Sequence, residues 1–321
     1  MPVFRFCAVV LALLFALPAA AQSFPSRPVR IVVPQTPGGA TDVFARLIAQ
    51  KLGAKWGQPV VVENRAGAAG VMGSEVVMKS PADGYTLLVT YEGSQAVNQS
   101  LYAKLPFDSV KDFQPVATLA VTPFFLVVGP KTAAKDLKEF VAAARAKPGS
   151  ITYASSGNGS INHLLAEMLK TEAGINLVHV PYKGIAPAMT DVIGGQVDAA
   201  FASVPSVIQH IRAGRLRALG VSSAKRNQAA PEVPAIAEAG FPGYDVNPWW
   251  GIFAPAGTPK AVVDRINADV ADLLKAPDIV AHFKEQGAET LTMAPDAFLK
   301  MLVADVQKWA KVVKASGARI D

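Results

Sequence analysis

The chain has 321 residues, 51% of them apolar, with 31 Lys and Arg against 25 Asp and Glu, four His and a single Cys. That length suits one large domain or two of ordinary size, with enough apolar residues for a sizeable core. No block of like charges gathers the excess of +6, which argues against a nucleic-acid groove and for a solvated surface with a mild bias toward anions.

The chain opens MPVFRFCAVVLALLFALPAAA, one cation followed by an apolar run that ends in small residues. This reads as a secretory signal peptide over residues 1–21, cleaved after Ala21; the uninterrupted run falls short of the ~20 residues a bilayer span needs. The mature chain then starts at Gln22 with 321 − 21 = 300 residues and a balance of 30 − 25 = +5 once Arg5 is removed. Cys7 leaves with the leader, so disulfides, thiolate metal sites and a Cys nucleophile are excluded.

Short β-branched runs then alternate with helical patterns, the signature of α/β architecture with mainly parallel sheets. Strands are expected over 29–33, 60–62 and 85–90, separated by helices over 42–55 and 71–79. Thr41 or Asp42 can cap the first helix, and Pro81 stops the second. Two more strands, 116–119 and 124–128, lead into a second series. It runs helix 137–146, strand 151–154, helix 161–172, strand 177–180, helix 187–193, strand 197–201, helix 206–213 and strand 216–221. An extended apolar stretch follows at 245–254, then helices over 260–274, 278–285 and 295–314. The last carries Phe298, Met301, Leu302, Trp309 and Val312 on one stripe, which reads as packing.

Two junctions point to a ligand. In VVPQTPGGATDVFARLIAQKL and TYASSGNGSINHLLAEML a strand ends in a short loop of Gly, Ser, Asn or Thr and a helix begins at once. The first amides of a helix have no intrahelical partner and carry the positive end of its dipole, and glycine lets a ligand approach the backbone. Loops 38–41 and 156–160 therefore read as two anion cradles, although glycines at such turns often serve only the turn. Neither has the ending of a nucleotide P-loop or the spacing of a dinucleotide fingerprint, which leaves carboxylates and simple oxyanions, bound with help from Thr41, Ser156 and Ser160.

The runs FPSRPVRIVVP, PGGATDVFARLIAQKL, WGQPVVVENRAGAAG, PADGYTLLV, YASSGNGSINHLLAEML, VHVPYKG, APAMTDVIGGQVDAAF and FAPAGTPKAVVDRIN resemble the Bug receptors, extracytoplasmic solute receptors of tripartite tricarboxylate transporters, along nearly the whole mature chain. The resemblance implies a type II periplasmic binding protein of Venus-flytrap shape. Lobe 1 would span 22–122 plus 250–321 and lobe 2 would span 123–249, with the ligand between them. It implies a monomeric periplasmic receptor, needing no cofactor or metal, that hands a small organic carboxylate to membrane subunits. By position it places the ligand at Gly38, Gly39, Ala40 and Thr41 and at Ser156, Gly157, Asn158, Gly159 and Ser160. His163 lies one turn into the second helix, where ligand contact and capping of the loop are both open.

Departures from the family pattern bear on specificity. Gln35 and Thr36 stand where an aromatic is frequent, which puts a polar amide within reach of the ligand. The loop after the third strand reads Thr90-Tyr91-Glu92-Gly93-Ser94 in place of small polar residues. Glu92 is expected either solvated or at the cleft edge, where it would repel a second carboxylate and pair with an ammonium or a hydroxyl. Ser203 replaces a frequent Asp or Asn. Tyr91, Tyr182, Trp249 and Trp250 add aromatic area, consistent with a ring-bearing or otherwise partly apolar acid, though the Trp pair equally fits hinge packing.

Two other functions fit less well. Ser155 or Ser156 with His163 suggests a hydrolase, but the Gly-x-Ser-x-Gly elbow and an orienting carboxylate are missing, and the scattered histidines match no metal motif. A receptor that signals to a membrane sensor would share the same closure on ligand.

Overall fold

The structure, a computed structural model, describes residues 24–316 and 319. The expected leader and its cleavage site lie outside the described residues. The chain builds two mixed sheets flanked by helices.

The first sheet holds β1 (Val29–Val33), β2 (Val60–Asn64), β3 (Thr86–Tyr91), β4 (Phe113–Val121), β10 (Trp249–Pro255) and β11 (Glu289–Thr290), in the order β11-β4-β10-β3-β1-β2. The second holds β5 (Phe124–Val128), β6 (Thr152–Ser155), β7 (Val178–Pro181), β8 (Ala199–Ser203) and β9 (Arg217–Val221), in the order β7-β6-β8-β5-β9. Central strands such as β3 and β10 are buried along their whole length, as expected of strands covered on both faces.

Strand direction departs from the mainly parallel expectation. β1, β2 and β3 run parallel, as do β6, β7 and β8, but β10 runs antiparallel to both β3 and β4, and β5 to both β8 and β9. The cause is the double passage between the sheets. The chain crosses from Val121 to Phe124 and comes back from β9 to β10, and the returning strand enters the first sheet in the opposite sense. At the crossing, Thr122 N donates to Pro248 O at 3.1 Å, which ties the two passages together.

The helices are α1 (Ala40–Trp56), α2 (Val71–Met78), α3 (Asn98–Leu101), α4 (Leu137–Ala146), α5 (Ile161–Ala173), α6 (Ile185–Ile193), α7 (Val204–Arg212), α8 (Lys260–Leu273), α9 (Pro277–Glu285) and α10 (Pro295–Ser316). Phe44, Ala45, Ile48, Ala49 and Leu52 form the buried stripe of α1 at helical spacing. That helix starts two residues earlier than expected. Its N-cap is Gly39, with no side-chain cap, and Asp42 Oδ2 instead accepts from the Gly38 amide at 3.0 Å.

Gly93–Val97 forms a π-helical turn that no periodicity announces, and π turns concentrate at functional sites. The stripe on α10 does pack, against β4 and that π turn, with Phe298, Leu302 and Trp309 buried. One apolar core fills both faces of the first sheet and continues through Trp250 and Phe124 to the α4 and α5 side of the second. The α6 and α7 side of the second sheet has a core of its own.

Candidate functional site

Four helices begin at one cavity between the lobes. Gly39, Ala40 and Thr41 supply the start of α1, Asn162 that of α5, Ile185 that of α6, and Ser203 and Ser206 that of α7. Gln35, Tyr91 and Trp250 complete the first-lobe wall, with Ser156 and Phe124 opposite and at the crossing. The cavity, open on one side, has a volume of about 40 Å³. No Lys, Arg, His, Asp or Glu lines it. The field inside comes instead from four helix N-termini, each worth roughly half a positive charge. An anion is the ligand such a site suits without any counter-charged side chain.

The aromatic floor is built in place. Trp250 stacks on Tyr91 (centroids 5.5 Å apart) and on Phe124 (6.3 Å), and its Nε1 donates to Thr41 Oγ1 at 2.9 Å. With its oxygen accepting from the indole, the Thr41 hydroxyl keeps its own proton for a ligand.

The lobes touch around the cavity. Ala40 N donates to Ser206 Oγ at 3.2 Å, and Ser206 Oγ lies 2.8 Å from Ser203 Oγ. The Tyr91 hydroxyl is buried beside the Ile161 amide and the Ser156 and Ser94 side chains, and burial pushes its pKa up to about 12. Ser156 Oγ in turn donates to Asn162 Oδ1 at 2.6 Å. A Cβ on Gly39 would stand 3.3 Å from Ile185 Cγ2, and one on Gly184 would meet Thr36 at 2.5 Å. The two lobes therefore meet backbone to side chain with no space to spare.

Of the residues expected from the sequence, Gln35, Gly39, Ala40, Thr41, Tyr91, Ser156 and Ser203 are brought to the cavity. Gly38 is displaced to an outer groove of about 260 Å³, bounded by Ile185, Met189, Ile193 and His210. Ser94 sits behind Gln35 and accepts from its Nε2 at 3.0 Å.

The second cradle needs correction. Gly157, Asn158, Gly159 and Ser160 do not line the cavity, and their loop largely satisfies itself. Gly157 N donates to Ser155 Oγ at 3.1 Å, Gly159 N to His163 Nδ1 at 3.0 Å, and Ser160 N to Gly157 O at 3.1 Å. Asn158 is exposed. His163 is thus the cap of its loop. It stacks on His179 with centroids 4.1 Å apart, and burial lowers the pKa of both rings, that of His179 to about 4.

Glu92 matches neither expectation. It is buried, and its carboxylate accepts from Trp309 Nε1 in α10, away from the cavity. Burial, reinforced by Asp305, raises its pKa to about 7. Tyr182 also turns away, donating to Asp191 Oδ2, and Trp249 donates to Asp305 Oδ2 at 2.8 Å.

Sequence reasoning missed Phe124, Asn162, Ile185 and Ser206. The available signal was the helix start itself. Asn162 and Ser206 are polar residues in the first turn of helices that follow a strand, and the search for glycine passed over them. It also missed the Ser–His pair that does form, Ser155 Oγ with His179 Nε2 at 2.6 Å, where Ser155 has no exposed surface to offer a substrate. Among the described residues no cluster of His, Cys, Asp and Glu has the arrangement of a metal site. A larger groove of about 530 Å³ beside the crossings mixes Lys225, Arg226 and Lys284 with Asp245 and Glu289, so it offers an anion little net preference.

Known proteins are similar to this chain over most of its length. The protein BugT of Bordetella pertussis is 39% identical over 306 residues, covering 95% of this chain and 94% of BugT. The R. palustris protein Rpa4515, solved with adipate, is 36% identical with a TM-score of 0.90, covering 92% of this chain and 100% of the solved one. MatC of Rhodopseudomonas palustris, solved with bound malate, is 32% identical with a TM-score of 0.86, covering 90% and 100%. The periplasmic binding protein BugD is 34% identical with a TM-score of 0.88, covering 92% of this chain and 99% of the solved one, which shows the periplasmic-binding-protein fold. The model of the tripartite tricarboxylate transporter family receptor matches residues 44–318. On a match that runs from within α1 through both crossings into α10, this chain belongs to the tripartite tricarboxylate transporter receptor family.

Proposed function

We propose that the protein is a periplasmic receptor that captures a small organic carboxylate between its lobes and delivers it to the membrane subunits of a tripartite transporter. One observation carries the reading: the first turns of four helices converge on an uncharged cavity. The carboxylate sits against Ala40, Thr41, Asn162 and Ser206. It takes bonds from main-chain amides and hydroxyls that cost little to order, because each is already held by the fold. Helix termini contribute roughly 0.3–1 kcal/mol each and bonds to a charged acceptor about 1.5–3, which together reach the ~8 kcal/mol of micromolar affinity.

The size of the cavity narrows the ligand. A water occupies about 10–15 Å³ on this measure, so about 40 Å³ takes a carboxylate and a few more heavy atoms. A longer acid reaches the outer groove past Ile185, against Met189 and Ile193. Glu92 no longer argues against a second carboxylate. The adipate and malate seen in two relatives make dicarboxylates part of the test.

Titration calorimetry of the mature protein against short monocarboxylates, dicarboxylates, tricarboxylates and aromatic acids tests the binding half. Micromolar heats from at least one short acid are expected. Uptake of that acid by cells with and without the receptor gene tests delivery, and equal uptake would refute it.

A further inference from the structure

Gln35 holds an unmatched acceptor in the cavity wall. Its Nε2 donates to Ser94 Oγ at 3.0 Å, its main-chain oxygen accepts from Asn64 Nδ2 at 3.1 Å, and its Oε1 is buried with no partner. The orientation of the amide is set by chemistry. With Ser94 Oγ donating to the Ala69 carbonyl at 3.0 Å, the Ser94 oxygen accepts from Gln35, which assigns the amide from its bond network. The end of the amide turned to Ser94 is therefore nitrogen, and the end left over is oxygen.

Ser94 is itself fixed. It lies in the π turn that follows β3, and the Ala69 oxygen that anchors it also accepts from Asn98 Nδ2 at 3.1 Å. Gln35 cannot easily rotate to relieve its own oxygen without breaking this chain of bonds. Among the described residues three buried amide oxygens have no donor, those of Gln35, Gln95 and Asn98, and of these only Gln35 belongs to a residue that lines the cavity; such acceptors are the exception in folded proteins and take a donor from water or a ligand.

We infer that Gln35 is a specificity-determining residue, selecting carboxylic acids that carry a hydrogen-bond donor, a hydroxyl or an ammonium, close to the carboxylate. The inference rests on the carboxylate reading above and deepens it. The helix N-termini take the anionic end, and Gln35 Oε1 takes the donor across the same small cavity, from the first-lobe wall that Tyr91 continues. An acid without the donor leaves Oε1 dehydrated and unpaired. Sites built to bond a substrate hydroxyl reject the analogue lacking it far more strongly than apolar pockets reject an extra methylene.

The test is calorimetry on the mature protein with two matched sets, propionate, lactate and alanine, and succinate, malate and aspartate. Within at least one set, the hydroxy or amino acid is expected to bind at least about tenfold more tightly than the parent acid. In Gln35→Leu, and in Gln35→Met should the first variant unfold, the ratio is expected to fall below about threefold. Circular dichroism melting shows whether each variant is folded. Equal affinities across every set that binds, or a ratio that survives both substitutions, overturns the inference and leaves the carboxylate reading standing. Heat from no acid of either set brings down the proposed function, and this inference with it.

Discussion

The amide of Ala40, at the first turn of α1, donates to the hydroxyl of Ser206, in the first turn of α7, at 3.2 Å. The positive ends of two helices from different lobes are joined through one serine oxygen. That bond both holds the lobes together and places Ser206 where an anion would bridge the same two helices. Ser206→Ala removes the acceptor and leaves the Ala40 amide facing the cavity. A single net hydrogen bond is worth about 0.5–1.5 kcal/mol, so ligand affinity is expected to weaken by about two- to tenfold in calorimetry, with little change in melting temperature. An affinity unchanged or improved would show that the contact does not support closure.

Closure also depends on Gly159. A Cβ there would stand 1.5 Å from Leu101 Cδ2 across the interface, and its φ of +70° already disfavours a side chain. Gly159→Ala should hold the lobes apart, weakening binding by about tenfold or more while both lobes stay folded. Leu101→Ala in the same chain should restore part of the loss, since it removes the atoms that clash. Small-angle scattering reads the separation directly, and a compact Gly159→Ala chain would refute the account.

The buried Glu92 makes stability depend on pH. Its pKa rises from 4.5 unfolded to about 7 folded, because burial and the neighbouring Asp305 disfavour the charge. The folded state therefore binds the proton more tightly. Its stabilising effect is complete below about pH 4.5 and is lost as pH rises through about 7, an effect of the order of 3 kcal/mol. Urea unfolding at pH 5 and pH 8 should show the decline in the wild type and a smaller decline in Glu92→Gln.

The stacked histidines act in the opposite sense. His179 is lowered from 6.5 to about 4 by burial and by His163, and His163 is lowered too. For these bases the stabilising effect is present above about 6.5 and is lost as pH falls toward 4. It is of the order of 1 kcal/mol after allowance for solvent screening. Protonation of His163 Nδ1 also ends its acceptance of the Gly159 amide. Once exchange is corrected for its intrinsic pH dependence, the amide hydrogens of the 156–160 loop should be less protected at pH 5 than at pH 7.5, a difference that His163→Phe abolishes.

Much of the fold is legible in the sequence because local pattern and tertiary role agree. The run VRIVV is β-branched apart from Arg30 and ends as a strand buried everywhere but at Arg30, and Phe44, Ile48 and Leu52 mark the buried face of α1 before any contact is known. The antiparallel β10 was not legible, since its direction follows from the return passage between the lobes. The π turn at Gly93–Val97 depends on Gln35, Ala69 and Ser74, all distant in sequence. The same distance explains Glu92. A charged loop residue ordinarily faces water, but an indole 217 positions away receives this one in the interior. Of the two loops that the glycine rule singles out, Gly39 and Ala40 of the first line the cavity, while the glycines at 157 and 159 shape a loop that bonds to itself and Asn162 and Ser206 line the cavity in their place.

The most direct test of a site made from helix N-termini compares charge at constant shape. Calorimetry of the mature protein with the best-binding short acid and with its neutral primary amide, at one ionic strength, separates the field of the helices from simple fit. Micromolar binding of the acid and no measurable heat from the amide is the expected result. An amide that binds as tightly as the acid would contradict the claim that converging helix dipoles hold the ligand.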